Sequence, residues 1–282
     1  MKIRSLLFFL TFSFCAFAQK MPSDYFMEAI QYGQSGQDQK ALENFLYIVE
    51  NHPRNELYPK ALYNIGFIYF QQKEYEKSIF YCWKLMTGGF NDTEELGGDI
   101  MAESYTNYSH LACVRISECY KNLGKYDSAL HYLALSEHTY RYQSTCGNAY
   151  ADYNVRTALR YADIYEHLNQ PDSAIAKLLP QAFDNGFTDH SEVVAELKKL
   201  LAGRKKLLPK LDAALDSIYS KTITYEDHNG QERSYNRFYI KFLGTEFELP
   251  HGSFGHGYEW DKPEESIARL KEDKFYKMIA EL

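Results

Sequence analysis

A pattern of small, aromatic and apolar positions occurs four times along the chain. A small residue is followed by Tyr three positions later, by a second small residue at twelve, and by a bulky or apolar residue at sixteen. The four sets are Ala29, Tyr32, Ala41 and Phe45; Gly66, Tyr69, Ser78 and Cys82; Ser117, Tyr120, Ala129 and Leu133; and Ala162, Tyr165, Ala174 and Leu178. Self-similarity of this kind predicts copies of one structural unit.

Each unit is predicted to be a helix, a short turn and a second, antiparallel helix. The turns are visible as SGQDQ, QQKEY, NLGKYD and NQPD. Gly36 and Gly124 suit the left-handed conformation that ends a helix, and Pro171 suits the start of the next one. Small residues let the two helices approach closely, and the tyrosine fills the gap beside them. The pattern therefore describes packing.

On these positions the chain resembles the tetratricopeptide repeat family, and the first unit supplies even the family's closing proline, Pro53. The resemblance covers residues 22 to about 183 and implies an α-α superhelix. Unit starts are separated by 37, 51 and 45 residues, whereas the family spacing is about 34. The extra residues lie chiefly at 87–104 and 142–152. Two interpretations are open: they line or cover a binding surface, or they only lengthen helices and loops at a repeat junction.

The residues after the fourth unit predict a change of architecture. Residues 184–221 carry apolar positions at helical spacing and are expected to cap the end of the solenoid. Residues 222–250 show near-alternation of residue types and are rich in Thr, Tyr, Phe and Ile, which predicts two or three antiparallel strands. Asn229 and Gly230 are a two-residue hairpin signal between them. Pro263 suits the start of a last helix. We expect a mainly α protein: a solenoid over 19–183, capping helices over 184–221, and a small α+β appendage over 222–282.

The first eighteen residues predict an export signal. Lys2 and Arg4 precede an apolar run from Leu6 to Ala18, which closes on a small-x-small pattern. A run of thirteen residues is too short to span a bilayer, which needs roughly 20. We expect cleavage after Ala18 and a periplasmic or extracellular protein without stable membrane insertion. The segment resembles export signals of Bacteroidetes-type bacteria; a lipid anchor on Cys15 is the alternative, although Phe14 before it is bulky.

Composition narrows the class of protein. Apolar residues make up 45% of the chain and aromatic residues 16%, which is enough for a sizeable core. The net charge of -7 and the absence of a long basic run argue against nucleic acid as a partner.

Four cysteines remain after the predicted cleavage site: Cys82, Cys113, Cys119 and Cys146. Their spacing is neither CxxC nor a zinc knuckle. Three of them lie in predicted helices, where Cys packs as a small apolar residue. We expect buried thiols, with a disulfide that involves Cys146 as the alternative.

The family resemblance implies a peptide-binding groove on the first helix of each unit. By position, the second unit supplies Tyr63, Asn64, Phe67, Phe70 and Gln71, the third supplies Arg115, Glu118, Lys121 and Asn122, and the fourth supplies Arg156, Arg160, Asp163, Glu166 and His167. An aromatic wall at one end thus passes into mixed charge at the other. Aromatic side chains contribute contact area and charged ones set register in such grooves. The alternative is that the aromatics pack against the inserted loop.

Two of these residues, Arg156 and Arg160, are four apart and share a helix face. Family members that grip a C-terminal carboxylate place two basic residues there, together with an asparagine from the preceding unit. This chain has Arg115 at the asparagine's position. We therefore expect a solvated arginine pair that is bridged to Asp163 or Glu166.

The residue patterns of common enzymes are missing: the sequence contains no GxSxG, HExxH or GxxxxGK[ST]. The stretch ELPHGSFGHGYEW, with His251, His256 and Glu259, is the one place that suggests chemistry. Two histidines five apart lack the spacing and the third ligand of a structural metal site. Its glycines and aromatics instead favour a structural connector.

We expect a non-enzymatic interaction module without cofactor or metal, whose partner is a protein or peptide and whose oligomeric state the sequence leaves open. The appendage caps the solenoid or supplies a second contact. The alternatives are a small hydrolase or metal-dependent accessory enzyme centred on residues 248–261, and a structural subunit of an envelope assembly.

Overall fold

The structure, a computed structural model, describes residues 20–96, 104–183, 188–226, 229–251 and 262–282. Its elements are α1 Pro22–Gln34, α2 Asp38–Asn51, α3 Leu57–Gln71, α4 Tyr75–Thr87, α5 Tyr108–Asn122, α6 Tyr126–His138, α7 Gly147–His167, α8 Pro171–Leu178, a 3-10 turn Leu179–Gln181, α9 Ser191–Leu201, α10 Leu207–Leu215, β1 Tyr219–Glu226, β2 Glu232–Phe242, β3 Thr245–Glu248, α11 Pro263–Glu272 and α12 Lys274–Glu281. The protein is mainly helical with a small sheet near its C-terminus, as predicted.

Four helix pairs, α1 with α2, α3 with α4, α5 with α6 and α7 with α8, form the repeat region. The small and bulky positions of the sequence pattern are all buried in these pairs, and the four tyrosines are half-buried beside them. The packing interpretation of the pattern is therefore confirmed.

The turns within the pairs share one backbone geometry. Each is three residues long, and its middle residue has positive φ: Gly36 at 72°, Lys73 at 61°, Gly124 at 70° and Asn169 at 55°. In each unit the carbonyl of the repeat tyrosine accepts a hydrogen bond from the amide five residues later, at 2.8 to 2.9 Å. This bond satisfies a carbonyl that the end of a helix leaves open.

Hydrophobic contacts continue past the repeats. One core cluster runs through the first two helix pairs and into α5. Another joins α7 and α8 to α9, α10, the sheet and both terminal helices. Ile240 of β2, Leu211 of α10 and Phe275 of α12 are fully buried in it. The C-terminal elements therefore share a core with the last helix pair.

The sheet is antiparallel with strand order β1-β2-β3. One face of β2 is buried through Phe238, Ile240 and Phe242. The predicted two-residue turn at Asn229 and Gly230 is wrong, because the register sets Glu226 opposite Glu232, so that five residues and not two separate the last paired positions. Two like charges directly opposite each other disfavour further pairing.

The last segment forms two helices instead of one. α11 begins at Pro263 as predicted and ends at Glu272. Asp273 is extended, and its side chain accepts a hydrogen bond from the Phe275 amide at 2.7 Å, which caps the start of α12.

The four cysteines within the described residues are free thiols. Cys82, Cys113 and Cys119 are buried and Cys146 is half-buried, which confirms the prediction of buried thiols for three of them. Burial raises the pKa of Cys82 and Cys113 to about 12 and that of Cys119 to about 11. None of the helices in the described ranges combines the length and apolar character needed to cross a membrane. The predicted export signal lies outside those ranges.

Candidate protein-binding face

The first helices of the second, third and fourth units, α3, α5 and α7, bring most of the predicted groove residues together. We call the surface that they form the helix-A face. Its side chains contact one another within and between these helices; they are Phe67, Phe70, Arg115, Glu118, Lys121, Arg160, Asp163 and His167.

The aromatic end of the helix-A face lies on α3. Phe67 is 39% exposed, which is high for a phenylalanine, and Phe70 is half-buried. The Arg115 guanidinium carbon lies 5.2 Å from the Phe67 ring centroid and 4.7 Å from that of Phe70. A guanidinium in this position is attracted by the ring electrons. The aromatic wall is therefore joined to the charged part of the face.

Glu118 connects two arginines from different units. Its Oε2 lies 3.1 Å from Nη1 of Arg115 on the same helix, and its Oε1 lies 3.3 Å from Nε of Arg160 on α7. The Arg115 and Glu118 side chains are only 17% and 24% exposed. Because these side chains are mostly shielded from solvent, salt screens the two ion pairs less than it would on an open surface.

A second ion pair between α5 and α7 lies one helical turn further along. Lys121 contacts the Asp163 carboxylate, and His167 Nε2 lies 3.6 Å from Asp163 Oδ1. The His167 ring stacks on Tyr126 with 4.8 Å between centroids and 7° between planes. Charges of both signs thus alternate across the two helices.

The expected bridging of the two arginines to Asp163 or Glu166 is wrong. Arg156 pairs with Asp152 on its own helix, and Arg160 pairs with Glu118. Asp163 is instead engaged by Lys121.

Glu166 of α7 forms an ion pair with a residue of α9. Lys199 Nζ of α9 lies 2.5 Å from Glu166 Oε2 and 3.0 Å from Glu196 Oε1. Hydrogen bonds from Glu196 and Lys199 lower the pKa of Glu166, whereas burial and the neighbouring Glu166 raise the pKa of Glu196. Sequence reasoning missed Lys199, because its helix was expected only to cap the solenoid.

The remaining predicted residues contribute less to the face. Asn64 and Asn122 donate to carbonyls of their own helices, at Lys60 and Glu118, both over 2.7 Å. Tyr63 is half-buried against the core of the first units, and Gln71 is exposed at the end of α3.

The described end of the first insertion, together with the residues between it and α5, contacts the second insertion. Asn107 donates to the Gln143 carbonyl at 2.9 Å and accepts from the Gln143 amide at 2.8 Å, and the Ser104 and Thr145 hydroxyls lie 2.8 Å apart. We call this contact the insertion clasp. Residues 97–103 of the first insertion lie outside the described ranges.

Most of the 248–261 loop, including His256 and Glu259, also lies outside those ranges. Of its histidines the structure describes His251, whose Nε2 lies 3.8 Å from Glu248 Oε1. Across the described residues, no group of three or more His, Cys, Asp and Glu side chains is arranged to hold a metal ion.

The geometry defines a protein of stacked antiparallel helix pairs, and the family comparison agrees. The model of the tetratricopeptide repeat matches residues 59–85 and 110–136, which lie in the second and third helix pairs. The chain therefore contains tetratricopeptide repeats. A thermophilic tetratricopeptide-repeat protein of Thermus thermophilus has a solved structure that matches with 18% identity and a TM-score of 0.40, covering 70% of this chain and 91% of that one. No curated protein matches the sequence significantly.

Proposed function

We propose that this chain is an exported, non-enzymatic interaction module that holds an extended segment of a partner protein on the helix-A face. Tetratricopeptide repeats generally mediate contacts between proteins, and the chain contains them. The observation that supports this particular surface is the exposed Phe67 ring beside the ordered row Arg115, Glu118 and Arg160.

The chemistry of the face suits an extended peptide. Phe67 and Phe70 offer apolar area, which supplies much of the free energy at interfaces. The charged groups are already held by one another, so fixing them on binding costs less conformational entropy than ordering free side chains would. Their alternating signs favour one register of a bound segment over its neighbours.

A matched pair of phenylalanines tests the surface. Phe67 on α3 is 39% exposed and Phe80 on α4 of the same unit is 51% exposed. Mature protein and the variants Phe67→Ala and Phe80→Ala would be crosslinked in the native envelope fraction, and captured proteins quantified by mass spectrometry. We expect Phe67→Ala to lower capture of the principal partner about thirtyfold, the effect of a hot-spot residue of about 2 kcal/mol.

Phe80→Ala should leave capture within about twofold of the wild type, because Phe80 lies on α4, outside the helix-A face. Loss of capture in Phe80→Ala with retention in Phe67→Ala would refute binding on the helix-A face. Circular dichroism of both variants checks that they are folded.

A matched pair of arginines tests the charged row. Arg160 pairs across the units with Glu118, whereas Arg156 pairs within its own helix with Asp152. We expect Arg160→Ala to weaken partner capture by about tenfold, because a partly buried Glu118 loses a partner. Arg156→Ala should have a much smaller effect. If Arg160→Ala and Arg156→Ala lowered capture equally, partner binding would depend on the overall positive charge of the face and not on the ion pairs between Arg115, Glu118 and Arg160.

Export is part of the proposal and has its own measurement. Mass spectrometry of the protein recovered from the periplasm or medium should give an N-terminus at Gln19. Recovery of the uncleaved chain from the cytoplasm would overturn this part without affecting the binding surface.

A second candidate is a structural subunit of an envelope assembly, supported by α4. Phe80 and Trp83 are each about half exposed and lie in one stripe along this helix, with Lys84 Nζ 4.5 Å from the Phe80 centroid. Exposed aromatic side chains grouped on one helix face are typical of protein contacts. Retention of the partner in Phe67→Ala, with loss in Phe80→Ala or Trp83→Ala, would favour this candidate.

A further inference from the structure

The outer strand of the sheet carries a second feature suited to binding. β1 pairs with β2 over eight residues, and within the described part of the chain no strand pairs with its other edge. Six of its eight residues are exposed. An edge strand of this length presents a row of backbone N–H and C=O groups that another chain can pair with.

β1 has few of the devices that protect sheet edges. Its sequence, YSKTITYE, contains neither Pro nor Gly, and its pairing with β2 is continuous from Tyr219 to Glu226 without a bulge. The segment Thr222, Ile223 and Thr224 is β-branched throughout, which favours extended backbone. The other outer strand, β3, has only four residues. β1 is therefore the edge on which a further strand fits.

The side chains next to this edge form an aromatic and cationic surface. Tyr219, Lys221, Ile223 and Tyr225 lie on the sheet face opposite the buried Phe238 and Ile240. Lys221 Nζ lies 4.4 Å from the Tyr239 centroid, and the Arg237 guanidinium carbon lies 4.9 Å from that of Tyr235. We call this surface the outer sheet face.

Among the described strand residues, cations outnumber carboxylates on the outer sheet face. The register places Lys221, Arg237 and Lys241 there, with Glu246 and Glu248 as the carboxylates. Lys221 contacts Glu246, and Arg237 Nη1 lies 3.0 Å from Glu248 Oε1. The chain as a whole has a net charge of -7, so this local excess of cations is opposite in sign to the rest of the molecule.

We propose that β1 accepts an extended acidic segment of a partner protein as a fourth strand of the sheet. Backbone hydrogen bonds along the β1 edge supply affinity, and carboxylates at alternate positions of the segment meet the outer sheet face. The site is distinct from the helix-A face, and the proposal stands or fails independently of binding there.

Charge and geometry favour this occupant over two others. In a two-fold pairing of β1 with a second copy centred on Ile223, Lys221 faces Tyr225, so no carboxylate of the second copy lies opposite the lysine. A nucleic acid has no peptide groups with which to extend the sheet, and the overall negative charge repels it.

A designed peptide pair tests the proposal on the mature protein. The probe is acetyl-TEVETEVET-amide with a fluorescent label, and its control carries Lys in place of each Glu. In fluorescence anisotropy we expect the Glu peptide to bind at least about tenfold more tightly, since β1 pairing is common to both and the facing charges differ. Equal affinities, or tighter binding of the Lys peptide, would overturn the acidic preference.

Hydrogen exchange and backbone methylation test the strand geometry. Binding of the Glu peptide should slow amide exchange at alternate residues of β1. N-methylation of one alternate set of peptide amides should abolish binding, while methylation of the other set should be tolerated. Unchanged exchange in β1, or binding that is indifferent to both methylation patterns, means that the peptide is held elsewhere and refutes the proposal.

Two exposed lysines on the outer sheet face provide matched variants. Lys221 lies on β1 beside the free edge, whereas Lys241 lies on β2 opposite Glu246. Lys221→Glu should lower the affinity for the Glu peptide by about tenfold, and Lys241→Glu should lower it by less. If sedimentation velocity showed a dimer of the wild type and a monomer of Lys221→Glu, the β1 edge would bind a second copy of the chain, and the proposal would be refuted.

Discussion

Small residues at the helix crossings do more than provide space. In the second unit the Ser78 hydroxyl donates to the Gly66 carbonyl at 2.7 Å, and in the third the Ser117 hydroxyl donates to the Ala129 carbonyl at 2.7 Å. The two bonds join equivalent positions in opposite directions. A serine is thus accepted on either helix because it satisfies its hydroxyl in the buried crossing.

Gly66 is predicted to be intolerant of a side chain. A Cβ added there would lie 2.7 Å from the buried Cys82 Sγ, closer than real contacts allow. We expect Gly66→Ala to lower the free energy of unfolding by about 1–3 kcal/mol, as overpacking in a core does. Urea denaturation followed by circular dichroism measures the loss.

Two comparisons make this prediction specific. Gly33 lies within α1, and an added Cβ there would meet no neighbouring atom within 4 Å. Gly33→Ala should therefore stabilise the protein, by up to about 1 kcal/mol. Adding Cys82→Ala to Gly66→Ala removes the clashing sulfur and should recover part of the loss; no recovery would show that the backbone, and not Sγ, is the obstacle.

His110 is predicted to make stability depend on pH. Its ring is buried, and Nδ1 lies 3.1 Å from the Ser136 carbonyl and 2.9 Å from that of Tyr140. Burial lowers the pKa of His110 below 6.5, outweighing the two carbonyls that raise it. A lowered folded-state pKa means that its stabilising contribution is complete above pH 6.5 and is lost as pH falls.

The measurement compares wild type with His110→Asn, which keeps a donor at the Nδ1 position but does not titrate. Urea midpoints between about pH 7.5 and 5 should fall more steeply for the wild type than for the variant. Parallel slopes would contradict the assignment. Arg160 lowers the His110 pKa as well and Asp92 raises it, so both should be left intact in these proteins.

At the scale of elements, the insertions prove to be a connected feature. The insertion clasp ties the residues before α5 to those before α7, and Asp92 Oδ1 accepts from the Ser109 amide at 2.8 Å at the start of α5. The extra residues between units therefore fix how α5 and α7 begin. These are two of the three helices of the helix-A face.

Asn107 is predicted to hold the insertion clasp through its side chain. Its φ of 48° lies in the left-handed region, where glycine is favoured. Asn107→Gly relieves the backbone but removes both bonds to Gln143. We expect a net loss of about 1–2 kcal/mol, the scale of two buried hydrogen bonds, and faster hydrogen exchange at residues 141–146.

The control is Asn107→Asp, which keeps the acceptor for the Gln143 amide and loses the donor. Asn107→Asp should retain part of the protection from hydrogen exchange at residues 141–146. If Asn107→Gly instead equals or exceeds the wild type in stability, backbone conformation alone explains the asparagine and the clasp contributes nothing.

At the scale of the whole molecule, the C-terminal third belongs to the same packing as the last repeat. Phe183, after the 3-10 turn, lies 5.5 Å from Phe247 of β3 and 5.4 Å from Phe275 of α12, measured between ring centroids. We therefore expect that disrupting α12 destabilises α7 and α8 as well.

Phe275→Ala is expected to lower stability by about 3–5 kcal/mol, the cost of removing a fully buried aromatic ring. Hydrogen exchange should accelerate in α7 and α8 as well as in α12. Tyr276→Phe removes only the 2.9 Å bond to Asp212 and should cost about 1 kcal/mol. Faster exchange confined to α12 in Phe275→Ala would show that the terminal segment is an independent unit.

The sequence by itself determined the four helix pairs, their turns and the buried positions. These depend on contacts between residues close in the chain, such as Gly66 with Ser78, and the spacing of small and bulky residues records such contacts directly. The strands and the terminal helix start were likewise readable from alternation and from Pro263.

Tertiary structure alone decided the pairing of the charged groups. Glu118 joins Arg160 over 42 positions and Lys121 joins Asp163 over 42, and Asn107 reaches Gln143 over 36. Several partners of suitable charge lay within reach of each group, and the offset between neighbouring helices selects among them. That offset depends on the lengths of the insertions and on core packing, which local patterns in the sequence do not record.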